Sequence, residues 1–238
     1  MKPLRVWWPR SPRPGNLGDV LTPHVLGWLG YDARWASQGS ADVLATGSIV
    51  RFATGRHTVW GSGAMRATDQ PSPRARYLAV RGPLTRKVVL AAGGECPEVY
   101  GDPALLLAGF VTCDVPKVHD LGIVPHYVDH GAMTRAHPRE RVIDVLRADP
   151  LEVVREIREC RSVVSSSLHG IIVAHAFGIP AAWVRWSDRL SGDGIKFRDY
   201  AASVGVELHP WSTVEQAAAA PVLGSFDPGP LLQATRGL

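Results

Sequence analysis

The chain has 238 residues, 45% hydrophobic and 20% charged, with 26 Lys and Arg against 22 Asp and Glu for a formal net charge of +4. That balance excludes an intrinsically disordered chain, which is poor in apolar residues and far from neutral, and the length suits one large α/β domain or two of roughly 110–120 residues. No apolar run approaches the roughly 18 residues that span a bilayer, and the start, Met1–Pro9, lacks the apolar core and cleavage site of a signal peptide, so the expectation is a cytoplasmic protein.

Leu4–Trp8 reads as a first strand ending at Pro9, followed by a Pro- and Gly-rich loop running to Asp19. Val20–Leu29 carries a helical apolar stripe, and strands are expected at Asp42–Ala45, Thr58–Trp60 and Tyr77–Val80. Pro83–Ala91 reads as a helix with Pro in its first turn and Gly93-Gly94 beyond its end, and Glu98–Tyr100 as another strand. Phe110–Asp120 has no clear period, which places a boundary there and divides the chain into residues 1–115 and 116–238. The second half repeats the rhythm: strands at Leu121–Val124, Val142–Val145, Ser162–Ser165 and Ala181–Trp186, with helices over Leu151–Cys160, capped by Asp149, and Gly170–Phe177. Ala217–Ala220 reads as a short helical end, and the last dozen residues as loosely attached. The alternation predicts an α/β chain of two parallel-sheet, Rossmann-like halves.

Cys96, Cys113 and Cys160 are odd in number, far apart and without a C-x-x-C pair, so three buried thiols are expected and no disulfide framework or structural zinc site. The remaining histidines show no metal-ligand spacing, and no metal is inferred. The 22 arginines and 4 lysines are scattered, which points away from nucleic acid and toward small anionic ligands.

Two segments carry the strongest chemical signal. Gly15-Asn16-Leu17-Gly18-Asp19 lies between a strand and a helix, where open α/β sheets bind ligands; a turn with Asp19 as helix cap is the plainer alternative. Ser165-Ser166-Ser167-Leu168-His169-Gly170 brings three hydroxyls and an imidazole to a helix N-terminus, a place suited to an anion. There the plainer alternative is a serine cap with a packed histidine. Neither a dinucleotide G-x-G-x-x-G nor a G-x-S-x-G elbow is present. Trp60-Gly61-Ser62-Gly63, Val80-Arg81-Gly82-Pro83, Gly101-Asp102-Pro103 and Pro125-His126 end further strands, and Arg86 follows Arg81. Polar residues at strand ends in both halves suggest a cleft between them.

In their order along the chain these blocks, with Gly122–His126, Gly178-Ile179-Pro180 and Lys196-Phe197-Arg198-Asp199-Tyr200, resemble the polysaccharide pyruvyl transferase family over about residues 4–200. The resemblance implies two Rossmann-like domains facing across a cleft as in GT-B glycosyltransferases, the first on the acceptor side and the second on the donor side. It also implies transfer of a pyruvyl group from phosphoenolpyruvate, the co-substrate, to a sugar diol of a polysaccharide or its precursor, giving a cyclic ketal without a cofactor. On that reading Arg81, Arg86, Ser166, Ser167, Lys196 and His126 bind the donor, and Asn16, Gly18, Ser62 and Gly63 the acceptor. His169 is the first choice for acid or acid–base work and Asp19 the second, for positioning or activating the diol. Ser167 stands where some members have Arg, which shifts anion binding to Arg81, Arg86 or Lys196. The acceptor's carrier stays open, including a lipid at the inner membrane face that would make the protein peripheral there. Two other classes stay open as well: a GT-B-like glycosyltransferase using a nucleotide sugar, and a non-catalytic basic module binding glycan or nucleic acid.

Overall fold

The computed structural model describes residues 1–238. A first sheet contains β1 (Lys2–Val6), β2 (Tyr31–Trp35), β3 (Val43–Leu44), β4 (Thr58–Trp60) and β5 (Arg76–Ala79) in the order β2-β1-β3-β4-β5. A second contains β6 (His119–Val124), β7 (Arg141–Val142), β8 (Cys160–Ser165) and β9 (Ala181–Trp183) in the order β7-β6-β8-β9. All neighbouring strands are parallel, with Ile123 opposite Val164 at the centre of the second sheet. The expected Rossmann-like sheets are therefore present. The order of each sheet reverses once, between β1 and β3 and between β6 and β8, and such a switch point opens a crevice at the carboxyl ends of the strands.

Helices α1 (Leu17–Trp28), α2 (Pro83–Ala91), α3 (His130–Ala136), α4 (Pro150–Arg158) and α5 (Leu168–Ala176) connect the strands, and α6 (Ile195–Ser203), α7 (Val214–Ala218) and α8 (Gly229–Ala234) complete the chain. Local chemistry explains their ends. The Asp149 carboxylate accepts from the Leu151 N–H at 2.9 Å and Pro150 fills the first helical position, so α4 starts there and buries Val153, Val154 and Ile157. Asn16, not Asp19, caps α1 by accepting from the Leu17 N–H at 3.1 Å. The helix consequently begins three residues earlier than its apolar stripe suggests, and Gly18 and Asp19 lie in its first turn.

A single cluster of 37 buried apolar residues draws on both sheets, from Leu4, Val6 and Leu21 to Val163, Ile171 and Ile172. A 3₁₀ segment over Pro103–Gly109 packs against both α1 and α5, so the halves share an interior. The C-terminal residues are not loose: Leu231 is fully buried and its carbonyl accepts from Trp60 Nε1 at 3.0 Å. Other expectations also change. Glu98–Tyr100 makes only one bridge, Tyr100 to Val80, because pairing is limited to the Val80 N–H donating to the Val99 carbonyl and the Gly101 N–H to the Val80 carbonyl. Cys160 opens β8 instead of ending α4, and Cys113 is exposed while Cys96 and Cys160 are buried.

One buried ion pair ties α6 to the first half. Arg81 and Asp199 are both fully shielded, with Nε donating to Oδ2 at 3.1 Å. The other Arg81 nitrogens donate to Ser48 Oγ at 2.7 Å and the Ala64 carbonyl at 2.8 Å. Asp199 also accepts from the Thr85 N–H at 2.8 Å and from Thr85 Oγ1 at 2.6 Å, so α6 supplies the capping carboxylate of α2. The residue at the cap position is Gly82, where a Cβ would overlap the Asp199 backbone carbonyl. Removing one partner leaves a buried charge unpaired. Asp199→Asn should therefore lower unfolding free energy by about 3–5 kcal/mol in urea denaturation; a loss below about 1 kcal/mol would mean that the pair does not hold the halves together.

Candidate active site

A cleft of about 360 Å³ lies where the two switch points face one another. The first half contributes Trp7, Asn16, Asp19, Ser48, Arg51 and Phe52 to its walls, and the second His126, Tyr127, Ser167, His169, Ser191 and Lys196. These residues come from loops after β1, β3, β6 and β8 and from the starts of α1, α5 and α6, which is why residues so distant in sequence converge. A larger cavity of about 470 Å³ adjoins it, sharing Ser191 and Lys196, but contains neither His169 nor Asp19. The titratable cluster identifies the smaller cleft as the candidate site.

His169 is the second residue of α5 and is almost entirely buried. Its ring rests on Gly18, where any Cβ would overlap the imidazole, so this glycine shapes the seat of a side chain and does not itself line the cleft. His169 Nε2 stands 3.4 Å from Oδ2 of Asp102, a fully buried carboxylate at the end of the Val80–Tyr100 bridge region. Asp19 lies beside the Gly47 turn. Burial pushes its carboxyl up to about 7; nearby Asp102 adds to that rise, while His169 and Lys196 oppose it. Lys196, in the first turn of α6, is nine-tenths buried without a carboxylate partner in contact. Burial, with Arg81 close by, pulls its ammonium down to about 8, and Asp19 opposes that fall. One acid and one base thus both approach neutrality, the condition for exchanging protons near physiological pH.

The serine triplet divides its labour. Ser165 Oγ shares its one hydrogen between the Val124 and Ser167 carbonyls, and Ser166 Oγ accepts from the His126 N–H at 2.9 Å, so both hold the loop. Ser167 occupies the cap position of α5 but makes no capping bond, which leaves its hydroxyl at the cleft beside a helix N-terminus. His126 is pulled down to about 4 by burial and by Lys196, against Asp129, so it meets the cleft as a neutral ring. Arg51 lies over the Phe52 ring at 4.6 Å and offers a second cation from the opposite wall. No three His, Cys, Asp or Glu side chains converge as a metal site.

Of the residues expected at the site, His169, Asp19, Lys196, His126, Ser167 and Asn16 meet at the cleft, and Ser166 and Gly18 lie directly behind them. Arg81 is not at its surface: its guanidinium is enclosed with Asp199 and covers Gly63. Ser62 is buried, donating to the Gly47 carbonyl at 3.1 Å. Arg86 is away from the cleft, held by the Cys96 carbonyl and Glu98. Arg51, Trp7, Phe52 and Tyr127 were unmarked in sequence, as isolated cationic or aromatic residues without a motif. Asp102 carried a visible signal, Gly-Asp-Pro at a strand end, but no role.

The polysaccharide pyruvyl transferase family model matches residues 31–188. The uncharacterized protein L143 of Acanthamoeba polyphaga mimivirus is 32% identical over 170 residues, 68% of this chain and 59% of that protein. The succinoglycan biosynthesis protein ExoV of Rhizobium meliloti (strain 1021) is 31% identical over 169 residues, 64% of this chain and 49% of that protein. The chain thus spans between about half and three fifths of the length of these curated relatives. The family match includes Arg51, Asp102, Ser167 and His169; Asp19 and Lys196 fall outside it and join the site by geometry.

The raised Asp19 carboxyl makes the fold bind one more proton than the unfolded chain between 3.8 and about 7, so its contribution to stability falls as pH rises through that window. Asp19→Asn removes that cost. The melting temperature should rise at pH 8 and change little at pH 5, where Asp19 is already protonated; scanning calorimetry at both values checks this. A fall at pH 8 would show that the site does not resist the charge.

Proposed function

The chain belongs to the polysaccharide pyruvyl transferase family, and from that premise we propose that it transfers a pyruvyl group from phosphoenolpyruvate to a sugar diol during exopolysaccharide synthesis. The observation that carries this reading is the joining, in one cleft, of a histidine, a carboxyl raised to about 7 and two unpaired cations from opposite walls. Phosphoenolpyruvate carries a phosphate and a carboxylate on a small enol. Lys196, Arg51 and the Ser167 hydroxyl at the α5 N-terminus are suited to those two charges. In this reading residues 116–238 form the donor side, with Arg51 reaching the donor from residues 1–115, which otherwise form the acceptor side, arranged as in GT-B enzymes. Trp7, Phe52 and Tyr127 give the cleft apolar surface for a sugar ring.

The chemistry needs a proton delivered to the methylene carbon and another removed from each attacking hydroxyl. His169 gives its proton to the methylene, forming the methyl group and an oxocarbenium-like carbon that the first hydroxyl attacks. Asp19 takes the hydroxyl proton, as a carboxyl that titrates near neutrality can. Asp19 passes that proton to the phosphate as it leaves with the enol oxygen, the second hydroxyl closes the ring and returns its proton to His169, and the net products are the cyclic ketal and inorganic phosphate. The protein's residues supply every proton movement in this scheme, so it needs no cofactor.

Calorimetry should detect binding of phosphoenolpyruvate and little of nucleotide-diphosphate sugars; the reverse order would favour a glycosyltransferase. Lys196→Ala should weaken phosphoenolpyruvate binding by about 1.5–3 kcal/mol, the scale of hydrogen bonds to charged groups. Phosphate release across a panel of saccharide acceptors, with mass analysis of the products, measures turnover. In that assay His169→Gln should fall by about 100-fold or more, and near-normal turnover of a folded His169→Gln protein would end the catalytic assignment.

A further inference from the structure

We propose that Asp102 is the positioning residue of His169, reaching it from the opposite half of the molecule and fixing the imidazole in the tautomer that carries its hydrogen on Nε2. The inference rests on the reading of His169 as the proton-transfer group and adds how that group is prepared. Asp102 Oδ2 and His169 Nε2 lie 3.4 Å apart, each is sealed from solvent, and neither has another hydrogen-bond partner. A buried carboxylate oxygen without a donor and a buried ring nitrogen without a partner are both costly, and a hydrogen on Nε2 relieves both. His169 Nδ1 has no protein partner either, yet it is absent from the sealed atoms, so it is the nitrogen that meets the cleft.

Neither member of the pair can turn away. Asp102 Oδ1 accepts from the Ala104 N–H at 3.0 Å, capping the 3₁₀ segment over Pro103–Gly109. The imidazole fills the space that a side chain at Gly18 would occupy, which seats the ring there. With Nε2–H on Asp102, Nδ1 presents a lone pair to the cleft, and after taking up a proton it presents an N–H. When that Nδ1–H bond breaks and a C–H bond forms at the substrate methylene, the ring returns to neutral with its Nε2 hydrogen still on Asp102. The Asp102 carboxylate beside Nε2 offsets the imidazolium charge. The titratable groups around this pair are Asp19 from α1, close to both His169 and Asp102, Tyr200 from α6, close to Asp102, and beyond Asp19 the Lys196 ammonium from α6.

The test begins without substrate. Long-range ¹H–¹⁵N spectra of the ¹⁵N-labelled full chain should show neutral His169 as the Nε2–H tautomer; an Nδ1–H tautomer overturns the proposal whatever the activity. Asp102→Asn keeps an acceptor for Ala104 but offers an amide N–H to Nε2, so it should switch His169 to the Nδ1–H form. In the phosphate-release assay it should lower kcat by about 10²-fold or more with KM changed by less than about threefold, and shift the pH limb of kcat. An Asp102→Asn protein that keeps both the Nε2–H tautomer and kcat also overturns the proposal. Should Asp102→Asn fail to fold, the wild-type spectrum still decides. The expected tautomer in a protein that does not turn over phosphoenolpyruvate would count against pyruvyl transfer and leave the positioning role standing.

Discussion

The Arg81–Asp199 pair is the constraint on which the cleft depends. Two full charges are withdrawn from water, a state tolerable only when their hydrogen-bonding capacity is met, and here it is: Arg81 is shared among Asp199, Ser48 and Ala64, and Asp199 among Arg81 and both polar groups of Thr85. An apolar contact of the same volume would hold α6 against α2 without choosing its rotation. The ion pair and the cap permit only one rotation, and Lys196, one turn before Asp199 on the same helix, then faces the cleft. Ser48, gripped by the same guanidinium, lies in the opposite wall. The pair therefore sets the distance between walls without touching the space between them.

Charge is distributed between the halves in a complementary way. The first half supplies Asp19 and Asp102, and the second supplies His169 and Lys196, so each titratable group meets its opposite only because the two sheets share an interior. Burial raises Asp19 and lowers Lys196, and the Coulomb attraction between them limits both shifts. Had either half been separated by a hinge with water between, both groups would return toward their ordinary ranges and their proton affinities would no longer match. A common core, in place of two cores joined by a linker, is what maintains the match.

The regular elements were legible wherever one face is wet and local chemistry marks the ends. Asp149-Pro150 located α4, Pro83 and Gly93-Gly94 bracketed α2, and Thr58–Trp60 matches β4. What escaped were elements whose surroundings are set by distant segments. α6 buries Ile195, Lys196, Phe197, Asp199 and Tyr200 between the halves, so it shows no apolar stripe; β2 is an edge strand whose Asp32 and Arg34 remain at the surface. The same distinction governs the site. Ser165–His169 and Gly15–Asp19 could be recognised because each is a local strand-to-helix turn with chemistry of its own. Arg81 appeared in sequence as a free cation at a strand end, because its partner is 118 positions away and no local pattern reveals that a charge is already matched.

That difference between a matched and an unmatched charge also explains how one molecule carries both stability and chemistry. Arg81 and Asp199 are fully satisfied and can only hold; Asp19, Lys196 and the cleft-facing nitrogen of His169 lack partners of their own and are free to act. Buried, unpartnered groups destabilise the fold that contains them, since burial raises Asp19 and lowers Lys196 against their charged forms. The destabilisation is confined to the space between the walls, while the capped helix, the ion pair and the shared apolar interior lie immediately behind it. Lys196 and Asp19 oppose one another's shift across that space, so each limits the cost of the other's burial. The burial that makes the cleft costly to keep unpartnered is thus the same burial that brings Asp19 and Lys196 toward neutrality.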